Sequence, residues 1–144
     1  MKKIFNLTIL FVLCLNLTGC YFGMNESWRE ISKGYYLMGW DDTNWKIVYN
    51  KDGKPDYFEG VVVDMTVFAD GHNDDFIIAK QHPQHADSLK PNRDITNYFI
   101  IDLRSPDNGS KTYSFDNEKD FNDKRLKLGV PKDLNFEFTD KRFE

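Results

Sequence analysis

From residue 34 onward, apolar and polar positions alternate in short runs broken by turn-forming clusters. Gly34 to Trp40 reads as a first strand, and Asp41-Asp42-Thr43-Asn44 as a turn. Trp45, Ile47 and Tyr49 fall on one side and Lys46 and Asn50 on the other, the period of two of a half-buried strand. Asp52-Gly53-Lys54-Pro55-Asp56 closes that strand. Tyr57 to Phe68 reads as one long third strand, with Val61, Val63, Met65 and Val67 on one face and Asp64 and Thr66 on the other. Asp70-Gly71-His72-Asn73-Asp74 predicts a hairpin turn on its Asp-Gly pair. Asp75 to Gln81 predicts the fourth strand, Thr96 to Arg104 the fifth and Lys111 to Phe115 the sixth. Between the fourth and fifth lies a long polar loop, His82 to Asp94.

Asp116 to Leu128 changes period and predicts a helix. Asp116 or Asn117 caps it, Glu118 and Asp120 suit its first turn, and Lys124, Arg125 and Lys127 suit its last. Gly129 is placed to end the helix and Pro131 to stop it. Phe121 and Leu128, with Leu126 nearby, form a narrow apolar stripe that should lie across the sheet. Leu134, Phe136 and Phe138 alternate with polar residues and predict a last short strand. The fold class is therefore α+β: an antiparallel meander of about five to seven strands with one C-terminal helix packed on it. The stretches DDFIIAKQ and TNYFIIDLR resemble each other. A propeller of four-stranded blades needs a longer chain, so two similar core strands are the better reading.

The N-terminus follows a different rule. Lys2 and Lys3 precede a mostly apolar stretch, Ile4 to Leu17, which is shorter than the ~20 residues of a membrane span. This is the layout of a secretory signal. Leu17-Thr18-Gly19-Cys20 then resembles a bacterial lipobox. That resemblance implies cleavage before Cys20 and a lipoprotein whose Cys20 thiol carries diacylglycerol, with palmitate-type chains holding it to a membrane on the extracytoplasmic side of the cell envelope. The organisation expected is a signal at 1–19, a lipidated tether at 20–33 and a globular domain at 34–144. Within the tether, Asn25 to Ile31 has the makings of one or two helical turns, with Asn25 as cap and Trp28 and Ile31 on one face. Tyr21 stands where an Asp would resemble an inner-membrane retention signal.

Without residues 1–19 the chain has 125 residues, one domain's worth, and its balance of 17 basic against 23 acidic residues gives a net charge of −6. No basic stripe is present, which argues against nucleic acid as a partner and against electrostatic adhesion to anionic lipid. Cys14 lies in the signal and Cys20 is the lipid site, so no disulfide staples the domain. Aromatic residues make up 15% of the chain, enough to dominate its core.

Three stretches together resemble a family of small uncharacterised bacterial lipoproteins that carry a domain of unknown function. They are Gly34 to Leu37 (GYYL), Asn73 to Gln81 followed by Asn97 to Asp102, and the pattern from Phe121 through Leu126 to Leu128-Gly129-Val130-Pro131. These are core and turn patterns, and the resemblance implies neither an activity nor site residues.

Candidate chemistry is sparse. His72, His82 and His85, with Asp70, Asp74, Asp75 and Asp87 around them, have the ligand types of a transition-metal site, but neither helix nor cysteine fixes their geometry, and solvated polar loops are the better reading. Asp70 to Asp75 is acidic with a central Gly, yet lacks the spacing of a calcium loop. Asp64, Asp102 and Glu59 have the residue type of a glycosidase carboxylate pair, or of outward strand acids. Tyr35, Tyr36, Trp40 and Trp45 are core aromatics or an exposed binding patch. No nucleophile elbow and no phosphate-binding Gly-rich loop occurs. No cofactor and no metal site is assigned, and no catalytic residue. The function expected is a non-enzymatic, lipid-anchored envelope protein that works through contacts with another envelope protein. The alternative is an inhibitor or immunity protein against an envelope-directed enzyme or toxin.

Overall fold

The structure is a computed structural model that describes residues 27–39, 44–52, 58–105 and 110–138. The stretch expected as a signal, residues 1–19, and Cys20 and Trp40 lie outside the described residues. Among the described residues nine strands and one helix follow in the order β1 (Ser27–Ser32), β2 (Tyr35–Gly39), β3 (Trp45–Tyr49), β4 (Gly60–Val63), β5 (Val67–His72), β6 (Phe76–Gln81), β7 (Asn97–Asp102), β8 (Lys111–Phe115), α1 (Glu118–Leu128) and β9 (Glu137–Phe138).

The strands form two antiparallel sheets, not one meander. The first has the order β1-β2-β3-β4 and the second β8-β7-β6-β5-β9, where β9 adds only two residues. The predicted long strand from Tyr57 to Phe68 breaks because the chain leaves one sheet for the other at Asp64-Met65-Thr66. Thr66 takes φ 73°, a costly conformation for a β-branched residue. It is held there by its hydroxyl, which donates to the His82 carbonyl, and by Gln81, whose Nε2 donates to the Asp64 and Met65 carbonyls at 3.0 and 2.9 Å. A register shift between β3 and β4 also undoes the predicted valine face. Val63 pairs with Ile47 and enters the core, whereas Val61 pairs with Val48 and is half exposed.

The Asp-Gly pair is not a turn. Asp70 and Gly71 lie within β5, and the chain reverses three residues later. There the Asn73 side chain accepts from the Asp75 and Phe76 amides at 2.9 and 2.8 Å. Of the stretch expected as helical turns, Asn25 to Ile31, the described part is extended instead: Ser27–Ser32 forms an edge strand whose register with β2 slips between Glu30 and Ser32. Its Ile31 is buried in the core.

The second sheet is the middle layer of three, and β6 and β7 show why. Ile77, Ala79 and Ile101 point toward the first sheet, where they meet Ile31, Tyr35, Leu37, Ile47 and Val63. Phe76, Ile78 and Ile100 point the other way, onto Phe121 of the helix and Val130 and Leu134 beyond it. Successive strand residues face opposite sides, so a sheet covered on both faces needs apolar residues at consecutive positions. The repeated Ile-Ile doublets are that requirement, met once in each central strand.

The helix forms as its end signals predict. The Asn117 side chain accepts from the Asp120 amide at 2.9 Å, and Gly129 takes the left-handed conformation at φ 72°. Gly129 and Val130 amides then bond to the Leu126 and Arg125 carbonyls, which closes the last turn. The apolar stripe is narrower than expected. Phe121 is the one buried residue of the helix, Leu128 is partly buried, and Leu126 points to solvent.

Candidate functional site

The predicted site residues are scattered. His72 pairs with Ile77 at the start of β6, while His82 follows the end of β6. His82 is five residue steps along the chain from that pair, roughly 16 Å. His85 lies further out, in the loop. Among the described residues no group of three or more His, Cys, Asp or Glu side chains converges. Asp64 and Asp102 also lie at opposite ends of β6, since Gln81 reaches Asp64 and Phe76 pairs with Asp102. Glycosidase carboxylates stand about 5 to 9.5 Å apart, so these two cannot serve as such a pair. Asp102 instead receives Arg104 in a two-pronged contact at 2.9 and 2.7 Å, and that hydrogen bonding holds its carboxyl below the usual range.

Asp70 belongs to a clasp between the sheets. It is buried on β5, and Arg29 of β1 donates to its Oδ1 at 2.6 Å, while His72 Nδ1 stands 3.6 Å from Oδ2. The aromatic group divides by alternation. Tyr35 and Tyr49 face the core with ring centroids 5.0 Å apart; Trp28 and Tyr36 meet edge-on at 6.0 Å on the outer face; Trp45 lies over Gly39. Tyr35 donates to the Ser110 hydroxyl beside a hollow of about 190 Å³ lined by Lys33, Tyr49 and Ser105, and burial pushes its phenol up.

The feature that the sequence conceals is the loop from residue 82 to 96. Its length and polarity predict an unstructured stretch, yet it is tied along its whole course. At the base His82 is buried, stacked on Phe68 at 4.3 Å, and its Nδ1 donates to the Ile95 carbonyl at 2.8 Å. One step out, the Asn92 amide bonds to the Pro83 carbonyl at 2.7 Å, and Gln84 and Pro91 form a bridge. Near the tip, the His85 amide bonds to the Lys90 carbonyl at 3.0 Å, and Gln84 Nε2 donates to the Leu89 carbonyl at 3.2 Å. Leu89 stands at that tip with 76% of its surface exposed. Of the four large apolar residues exposed among the described ones, two, Leu89 and Ile95, sit on this loop.

The two prolines are the only advance sign, since each fixes one backbone torsion on its side of the bridge. His82 thus acts as the loop's anchor. His82→Ala should leave the sheets intact and raise amide exchange across residues 83–95 by at least about tenfold, read by hydrogen exchange with mass spectrometry. Unchanged protection there would show that Asn92 and Lys90 hold the loop without it.

No curated protein and no solved structure matches the chain. A family model described as a protein of unknown function (DUF3997) does match it, over residues 32–140, from the end of β1 to just past β9. With the two sheets, the helix and the tied loop all within or beside that span, the chain belongs to the DUF3997 family of proteins of unknown function.

Proposed function

We propose that this protein is a non-enzymatic protein-interaction module, held on the extracytoplasmic side of a bacterial envelope membrane by lipid on Cys20, and that the loop from 82 to 96 is its contact element. The observation that carries the reading is Leu89, an apolar side chain presented on a loop already fixed by hydrogen bonds on both sides. Ordering a loop on binding costs affinity, and a loop ordered beforehand avoids that cost. A single projecting apolar tip fits a concave apolar pocket better than a flat surface, which favours the second reading as well: an inhibitor or immunity protein whose loop enters a cleft of an envelope-directed enzyme or toxin.

The test is a photo-crosslinking amino acid placed at Leu89 in the full chain, expressed in its own cells, with Asn122 on the helix as the control position. One protein adduct from position 89, absent from 122, is expected. Leu89→Asp should weaken binding to that partner at least about tenfold while unfolding stability stays within about 0.5 kcal/mol, as for other exposed sites. Identical adducts from both positions would refute the contact role. The partner's own activity, measured with and without this protein, separates a scaffold from an inhibitor. The anchor is tested apart: Cys20→Ser should release the protein from the membrane fraction and abolish incorporation of labelled palmitate.

A further inference from the structure

Strand β8 is an open edge. Among the described residues it pairs only with β7, in unbroken register from Asp102–Lys111 to Tyr98–Phe115. Lys111, Thr112 and Ser114 are exposed. The strand has neither proline nor bulge, the usual devices that stop an edge from pairing, and its one charge is at its end. The other edge of the same sheet is capped by β9. An open hollow of about 510 Å³ lies beside β8, lined by Asn97, Phe99, Ser114, Asp116 and Asp120.

We infer that β8 pairs antiparallel with β8 of a second copy of this chain, joining two second sheets into one continuous ten-stranded sheet. The edge is self-complementary about Tyr113. In that register Thr112 faces Ser114 of the second copy, a hydroxyl pair favoured across strands, and Tyr113 faces its own equivalent. Lys111 faces Phe115 of the second copy, so the two lysines stand at opposite ends of the strand pair. Like charges meet nowhere along it.

The symmetry has a further consequence. When a sheet continues antiparallel into its copy, the two-fold axis runs normal to the sheet and each face maps onto itself. Both first sheets then lie on one side of the joined sheet and both helices on the other. β1, which starts at Ser27, belongs to the first sheet, so both copies of Ser27 lie on the same side of the joined sheet. This suits two anchors in one membrane, a point that rests on the lipid reading above. A five-residue strand pair is smaller than the ~1,200 Å² typical of stable interfaces, so pairing depends on concentration, which tethering to one surface supplies.

The test is disulfide trapping of the full chain in its own membrane. Tyr113→Cys should give a crosslinked dimer on mild oxidation at least about fivefold above Asn122→Cys, because residues directly opposite bring their Cβ atoms within disulfide range. Thr112→Cys and Ser114→Cys should crosslink when the two variants are expressed together and about fivefold less when either is alone. The second experiment stands even if Tyr113→Cys folds poorly, because both of its positions are exposed. Dimer from Tyr113→Cys no greater than from Asn122→Cys, or Thr112→Cys alone matching the mixture, would overturn the inference. Should Cys20→Ser leave the protein on the membrane, the anchor reading fails by itself, and the same register comparison on the purified chain decides the pairing.

Discussion

Phe121→Ala should lower the unfolding free energy by about 4 kcal/mol, the largest loss from any single truncation in the helix. Phe121 is 1% exposed and sits inside a ring of aromatic neighbours. Tyr98 is 5.3 Å away between ring centroids, Phe136 5.9 Å and Phe115 6.2 Å. No other helix residue is buried, so little remains to hold the helix on the sheet once that ring is gone. Other attachments are Lys124, whose Nζ lies 4.0 Å from the Tyr113 ring of β8, the partly buried Leu128, and Arg125, which donates to the Pro131 and Leu134 carbonyls at 3.1 and 2.9 Å. Urea titration followed by near-ultraviolet circular dichroism would measure the change. A loss below about 1 kcal/mol would mean that the cavity collapses and that the helix is held by its C-terminal contacts instead.

Gly71→Ala should cost about 3 kcal/mol, although it adds one methyl group to a strand. A Cβ at Gly71 would stand 2.1 Å from the backbone oxygen of Asn135, and 3.2 Å from Ile78. The obstacle is main chain, which cannot rotate aside as a side chain would. The segment that carries Leu134 and leads into β9 must move off β5, uncovering the pairs Ala69–Phe138 and Asp70–Glu137. Thermal unfolding with hydrogen exchange at residues 134–138 would check it. A melting temperature within about 2 °C of the parent protein would show that the crossing segment shifts freely.

These two sites mark what the sequence lets a reader see. Phe121 was visible, because its period, caps and closing glycine all agree along one short stretch. So were β3 and β8, with boundaries read to the residue, because one-sided alternation is a local signal. Gly71 was misread. Asp-Gly has the chemistry of a hairpin turn, and the real cause of the glycine is a strand arriving from more than sixty residues away. The division into two sheets was hidden for a similar reason. Thr66 is a poor residue for a left-handed corner, and what holds it there comes from Gln81 and His82. β1 leaves a weak signal because its register slip spoils alternation and only Ile31 is fully buried. In the site, ligand types clustered in sequence, but the length of β6 keeps His72 from His82, and the ties that order the loop run mostly through backbone atoms, which composition does not display.

The strand order also bears on the sequence of events during folding. Every neighbouring pair within the two sheets joins strands consecutive in the chain, with one exception: β9 pairs with β5. Consecutive pairs close short loops and assemble early, whereas a long-range pair forms only after the intervening chain is in place. β9 is therefore the last rung, and the edge of β5 stays bare through most of the folding reaction. A bare edge recruits other chains. The two-residue strand at the end of the fold is thus a kinetic safeguard out of proportion to its length, and how long the β5 edge stays open to other chains is set by how soon Glu137 and Phe138 reach Asp70 and Ala69.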